Sequence, residues 1–90
     1  MTVQEQLVAV VREFQVGRLP EAEDACRDIL RSDPNQAVAW NVLGIIVMER
    51  KEFAEAVEYF SRALAIKADV PDFLCNRALA SRAMGKIEEA

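Results

Sequence analysis

The side chains best suited to chemistry are grouped carboxylates and two thiols. Glu21, Glu23 and Asp24 stand close together, as do Glu55 and Glu58, and a carboxylate pair is the usual starting point for acid–base work. Cys26 and Cys75 are the thiols. Each group lacks the companion it needs. The chain has no histidine, which removes both the commonest zinc ligand and the usual general base near neutral pH. Two cysteines so far apart form neither a disulfide framework nor a metal-binding spacing, and they read as small core residues in a reducing compartment. The acidic spacings are those of the wet side of an amphipathic helix. No phosphate loop or nucleophile–base pair accompanies them. The expectation is a chain with no enzymatic activity, metal or cofactor of its own.

Charge and hydropathy narrow the partners. A formal net charge of -4 and a pI near 4.8, with no basic run, argue against broad nucleic-acid binding. The longest apolar run, Val42 to Met48, falls far short of the roughly 20 residues a membrane helix needs. The opening MTVQEQLVAVVREF carries an early acid and no cleavage pattern, so no targeting signal is read there. The chain is expected to be soluble and cytoplasmic.

The elements that position these side chains are helices. Ala, Leu, Glu and Arg dominate, and three Gly and three Pro leave little room for a turn-rich β fold. Sliding the chain along itself until Gly17 falls on Lys51 lays GRLPEAEDACRDIL over KEFAEAVEYFSRAL, and the same shift again reaches GKIEEA, from Gly85. Glu21-Ala22, Glu55-Ala56 and Glu89-Ala90 share one register, preceded at a constant distance by Leu19, Phe53 and Ile87. A constant shift of this size marks stacked helical units. Within the second unit, Trp40, Leu43, Gly44 and Val47 return to one face of a first helix. Ala56, Tyr59, Phe60, Ala63 and Leu64 do the same on a second. Tiny residues beside bulky ones let two backbones approach while aromatic rings fill the space around them.

Local signals place the boundaries. Thr2 with Glu5 forms a capping box, and Asp33-Pro34-Asn35-Gln36 offers a proline stop followed by side-chain oxygens to cap the next helix. Gly17 and Pro20 mark the first turn, Lys51 and Glu52 the second without help from glycine, and Gly85 a third. A helix is expected from about Pro71 to Met84, with proline tolerated in its first turn.

This pattern resembles the tetratricopeptide repeat family, whose unit of about 34 residues is an antiparallel helix pair bearing Trp, Leu and Gly on the first helix and Ala, an aromatic and Ala on the second. The middle unit matches best, with Trp40, Leu43, Gly44, Phe53, Ala56, Phe60 and Ala63, although Ala68 replaces the closing proline. The first unit keeps Gly17, Ala22 and Pro34 but carries Gln6, Ala9 and Val10 at the signature places and Cys26 at the aromatic one. The third has Leu74, Ala78, Gly85 and Ala90 and then breaks off. The resemblance implies an all-α, right-handed superhelical stack of antiparallel helix pairs. One array covers residues 1–90, with about two and a half repeats at 3–36, 37–70 and an incomplete 71–90. Trp40, Leu43, Gly44, Ala56, Phe60 and Ala63 would pack the repeats together.

The resemblance also implies that first helices line a concave groove. Its positions are Leu7, Val11, Phe14 and Gln15 in the first unit, and Val38, Asn41, Ile45, Met48 and Glu49 in the second. Asp72, Cys75, Leu79, Arg82 and Ala83 continue it in the third. Some family members clamp a C-terminal carboxylate; here the matching places hold Leu7, Val11, Val42, Asp72 and Asn76, four of which lack the chemistry. Arg77 and Arg82 remain as carboxylate partners, against a reading as solvated surface. The function expected is that of a protein-interaction scaffold holding a peptide or protein segment of apolar or helical character. The alternatives are a self-association module that covers the incomplete third unit with another copy, and a regulatory or targeting segment of a larger enzyme.

Overall fold

A computed structural model describes the backbone of residues 2–89 and the side chains of residues 2–86. Five helices follow one another: α1 (Val3–Gln15), α2 (Leu19–Ser32), α3 (Ala37–Glu49), α4 (Phe53–Ile66) and α5 (Pro71–Glu89). Each packs on the next along the chain, and no strand occurs among the described residues. The result is an all-α solenoid of about two repeats with a fifth helix added, 46 Å long and 27 by 20 Å across.

The turns within the two helix pairs, α1–α2 and α3–α4, share one chemistry. After α1, the Arg18 amide donates to Glu13 O at 2.9 Å and the Gly17 amide to Phe14 O at 3.1 Å, with Gly17 at φ 84°. This pair of bonds satisfies orphan carbonyls at the helix end and requires a left-handed residue, which glycine supplies without steric cost. After α3 the same closure recurs, Glu52 to Val47 O and Lys51 to Met48 O, both at 2.9 Å. Here the left-handed residue is Lys51, at φ 65°, the position one repeat after Gly17. The register thus holds the backbone conformation even where the side chain disfavours it.

Gly85, one repeat further on, breaks that series and corrects the expected turn. α5 runs through it to Glu89, so Ile87 belongs to the same helix instead of opening another; Ala90 lies outside the described residues. Glycine inside a helix costs only about 1 kcal/mol relative to alanine.

Two caps also differ from expectation. Thr2 Oγ1 accepts from the Glu5 amide at 3.2 Å, but its hydroxyl then donates to Glu5 Oε1 at 3.2 Å, so the carboxylate is taken up by the side chain. Asp33 closes α2, its amide donating to Ile29 O at 2.8 Å, but its side chain does not cap α3. Its oxygens accept from the Asn35 amide at 3.1 Å and from Gln36 Nε2 at 2.8 Å, which folds the connection itself, and α3 starts from Gln36 with no side-chain cap.

Small and large residues interlock in the core as their spacing demands. Ala22, Ala39, Ala56, Ala63 and Ala80 are fully buried, and Phe60 is the largest side chain removed entirely from solvent. Phe60 lies on Gly44: a methyl built on that glycine would fall 2.7 Å from Phe60 Cδ1 and 2.8 Å from Cζ. Cys26 is buried among α1, α2 and α3, and burial pushes its thiol up to about 12.

The curvature follows from which helices meet. α1 touches α3 and α3 touches α5, whereas no Cα of α2 comes within 8 Å of one in α4. First helices therefore crowd together on the inside of the strip, and second helices spread apart on the outside.

Candidate functional site

On the inner side, each first helix leaves one stripe uncovered. α3 is buried almost all round, at Ala37, Ala39, Val42, Leu43, Gly44, Ile46 and Val47. What remains open is Val38, Asn41, Ile45 and Met48, spaced to return to one face, together with Glu49 at the end of the helix and the half-buried Trp40. α5 carries the equivalent stripe at Asp72, Cys75, Leu79 and Arg82, all exposed, and α1 at Leu7, Val11 and Phe14, all half-buried. Leu7 and Phe14 also lean on the α1–α2–α3 core, and Ile45 and Met48 on the cluster around Phe60. Each thus has one side in the interior and one in the groove.

Two parts of this surface have particular shapes. At the α1 end, Leu7, Val8, Val11 and Val38 line an open trough of about 460 Å³, rimmed by Arg12 and Gln15. Between α3 and α5, Asn76 Nδ2 donates to Asn41 Oδ1 at 3.0 Å in a half-buried position. Val8 was not among the expected groove residues, and Asn76 was named only as a place matching the carboxylate clamp. Val8 has a signal in its register: one repeat on stands Val42, which is buried in the α1–α2–α3 core, whereas Val8 is 58% exposed. Asn76 faces Asn41 from one position beyond the place the repeat would give its equivalent, which Cys75 holds. Cys75 is exposed, which corrects its reading as a core residue, and both thiols are free. Arg77, weighed as solvated surface, is half-buried, and Arg82 is exposed without an ion pair among the described residues.

The ion pairs of Glu23 and Glu58 lie on the second helices, away from the groove. Glu23 on α2 receives Arg50 at 2.7 Å from the end of α3 and Arg27 at 2.9 Å from its own helix. The hydrogen bond from Arg50 holds the Glu23 carboxyl below its ordinary value, burial opposes it, and Arg27 reinforces it. Glu58 pairs with Arg62 at 3.2 Å, and the Arg62 guanidinium sits 5.0 Å over the Trp40 ring. Trp40 also stacks on Tyr59 and donates from Nε1 to Pro34 O at 2.8 Å. It thereby ties the α2–α3 connection to α4. These acids occupy structural ion pairs, and among the described residues no group of three or more metal-binding side chains gathers. No helix described is long and apolar enough to cross a membrane.

Curved helix pairs with a recurring register and an open inner face define a helical repeat scaffold. The tetratricopeptide repeat profile matches residues 7–71, from α1 into the start of α5, and the chain belongs to that family. It is also 31% identical over 76 residues to Protein FlbA of Caulobacter vibrioides; the match takes in 84% of this chain and 13% of that much longer protein. Membership supports a general role for the chain as a protein-binding scaffold.

Proposed function

We propose that the inner face of α1, α3 and α5 binds a peptide or protein segment through apolar side chains. The observation behind this reading is the open stripe on α3, Val38, Asn41, Ile45 and Met48, left uncovered on a helix otherwise buried almost all round. Its neighbours, Val11 and the 52%-exposed Leu79, extend the apolar strip in both directions. Apolar area of this kind, kept in water by a folded chain, gains roughly 25 cal/mol per Å² when a partner covers it. The test is an affinity titration of a recovered partner against the wild-type chain, Asn41→Ala and Leu79→Glu, with helical content followed by circular dichroism. Weaker binding by both variants at unchanged helicity supports the groove; unchanged affinity removes it.

A second reading rests on a different surface. Leu74 and Ala78 stand one repeat after Trp40 and Gly44, the positions on α3 that α4 covers. On α5 both are exposed, Leu74 by 44%. Another copy of the chain covering this face would make the module self-associating. Sedimentation over a range of concentrations decides it, since a persistent monomer is incompatible with that role.

A further inference from the structure

We infer that the chain carries a second binding site, separate from the groove: a cleft between α2 and α3 that takes a carboxylate side chain of a partner peptide together with the apolar side chain beside it. The cleft is open, about 310 Å³ in volume, and lined by Arg27, Leu30 and Arg31 of α2 and by Trp40 and Leu43 of α3. None of these belongs to the groove. Leu30 and Leu43 are buried and give the cleft an apolar floor. Around that floor stand the two guanidiniums and the half-buried Trp40 ring, which stacks on Tyr59 with 5.8 Å between centroids. Arg62 of α4 sets a third guanidinium 5.0 Å over the same ring. No carboxylate is among the lining residues, in a chain whose acids outnumber its bases by 15 to 11.

The arginines are engaged without being used up. A guanidinium has five N–H donors in a planar fork. Arg27 gives Nη2 to Glu23, Arg31 gives Nη1 to Asp28 and Arg62 gives Nη2 to Glu58, so each keeps nitrogens for a further acceptor. Glu23 is also held by Arg50, at 2.7 Å against 2.9 Å for Arg27. Arg27 can therefore turn toward an incoming carboxylate without leaving Glu23 unpaired. The Arg31 and Asp28 side chains are 76% and 66% exposed. A pair so wet adds little to stability, and Arg31 exchanges one carboxylate for another at small cost. The lining then selects the occupant. A wholly apolar group would strip water from two guanidiniums and return nothing. A bare anion would leave the leucine floor and the indole uncovered. A run of phosphates would meet Glu23, Asp28 and Glu58, which pair with the arginines. Asp or Glu beside a Leu or Phe meets every one of these demands. Its carboxylate lies in the fork of an arginine, and its neighbour covers Leu30, Leu43 and Trp40.

The test titrates the full chain with synthetic end-blocked hexapeptides in which Asp or Glu stands beside Leu or Phe in a glycine background, and with the same peptides carrying Asn or Gln. Trp40 is the one tryptophan of the chain, so its fluorescence reports on this site. The variants are Arg31→Gln, Asp28→Asn and Leu79→Glu, with thermal melts to check that each remains folded. The expected result is a saturable change with the acidic peptides that weakens about tenfold with the amide peptides and with Arg31→Gln. Added salt should weaken it too. Asp28→Asn, which releases Arg31 from its own carboxylate, should tighten it, and Leu79→Glu should leave it unaltered. The absence of a saturable change overturns the inference, as does binding that ignores Arg31→Gln or is lost in Leu79→Glu. An equal response to inorganic phosphate at matched ionic strength overturns it as well, since that is capture of any anion. None of these outcomes counts against the groove, whose residues are separate.

Discussion

Lys51 sits at φ 65° where the repeat register places Gly17 at φ 84° in the unit before. A residue with a Cβ is strained in that region, and its replacement by glycine relieves the strain at some cost in unfolded-state entropy. Lys51→Gly should therefore raise stability by about 0.5–1 kcal/mol in denaturant melts, and Gly17→Ala should lower it by about 1 kcal/mol. Gly44→Ala should cost about 1–3 kcal/mol, because the new methyl meets the rigid edge of Phe60 and not open space. Glu23 gives a pH signature. Its folded value is depressed, so its contribution to stability is complete above the ordinary value of 4.5 and fades as the pH falls through the folded value. Glu23→Gln should melt at a lower temperature than the wild type near neutral pH, and the gap should close in acid. At this scale the sequence marks Gly44 and Phe60 by type and spacing. It hides the conformation of Lys51, since lysine carries no turn signal, and the bond of Asn76, since the repeat register aligns Asn76 with Val42 and not with Asn41.

Among the elements, α5 departs most from its expected form. The first four helices can be read from apolar periodicity because each has a neighbour on which to bury a stripe, and their ends fall where glycine, proline or the register puts them. Gly85 is in the right register for a turn yet lies inside a helix. Glycine permits a turn without requiring one, so register and residue type alone do not place it. A Cβ at Gly85 meets nothing within 4 Å, so Gly85→Ala should stabilise the chain by about 0.5–1 kcal/mol. Were the residue in a left-handed turn, the same substitution would destabilise it, and a denaturant melt distinguishes the two by sign. The start of α3 teaches a related point: Asp33 has the right residue type for a cap but spends its oxygens on Asn35 and Gln36. Competition between nearby acceptors and donors is settled by loop geometry, which residue type alone does not reveal.

For the molecule as a whole, curvature is the property that gathers the function. Contacts from α1 to α3 and from α3 to α5, without an equivalent approach of α2 to α4, bend the strip so that the uncovered stripes of three first helices converge. The period and the alternation of small and bulky residues made this architecture legible, because both are demanded at every repeat. The exposure of Val8 and Leu74 was less so: Val8 aligns with the buried Val42 and Leu74 with the half-buried Trp40, and only the absence of a covering helix among the described residues distinguishes them. The most direct measurement of the central claim is methyl NMR of the chain titrated with a library-selected peptide. Binding in the groove predicts shifts at Leu7, Val11, Val38, Ile45 and Leu79, with Val57 and Ile66 on α4 unmoved. Shifts confined to Val57, Ile66 and the outer helices would contradict it.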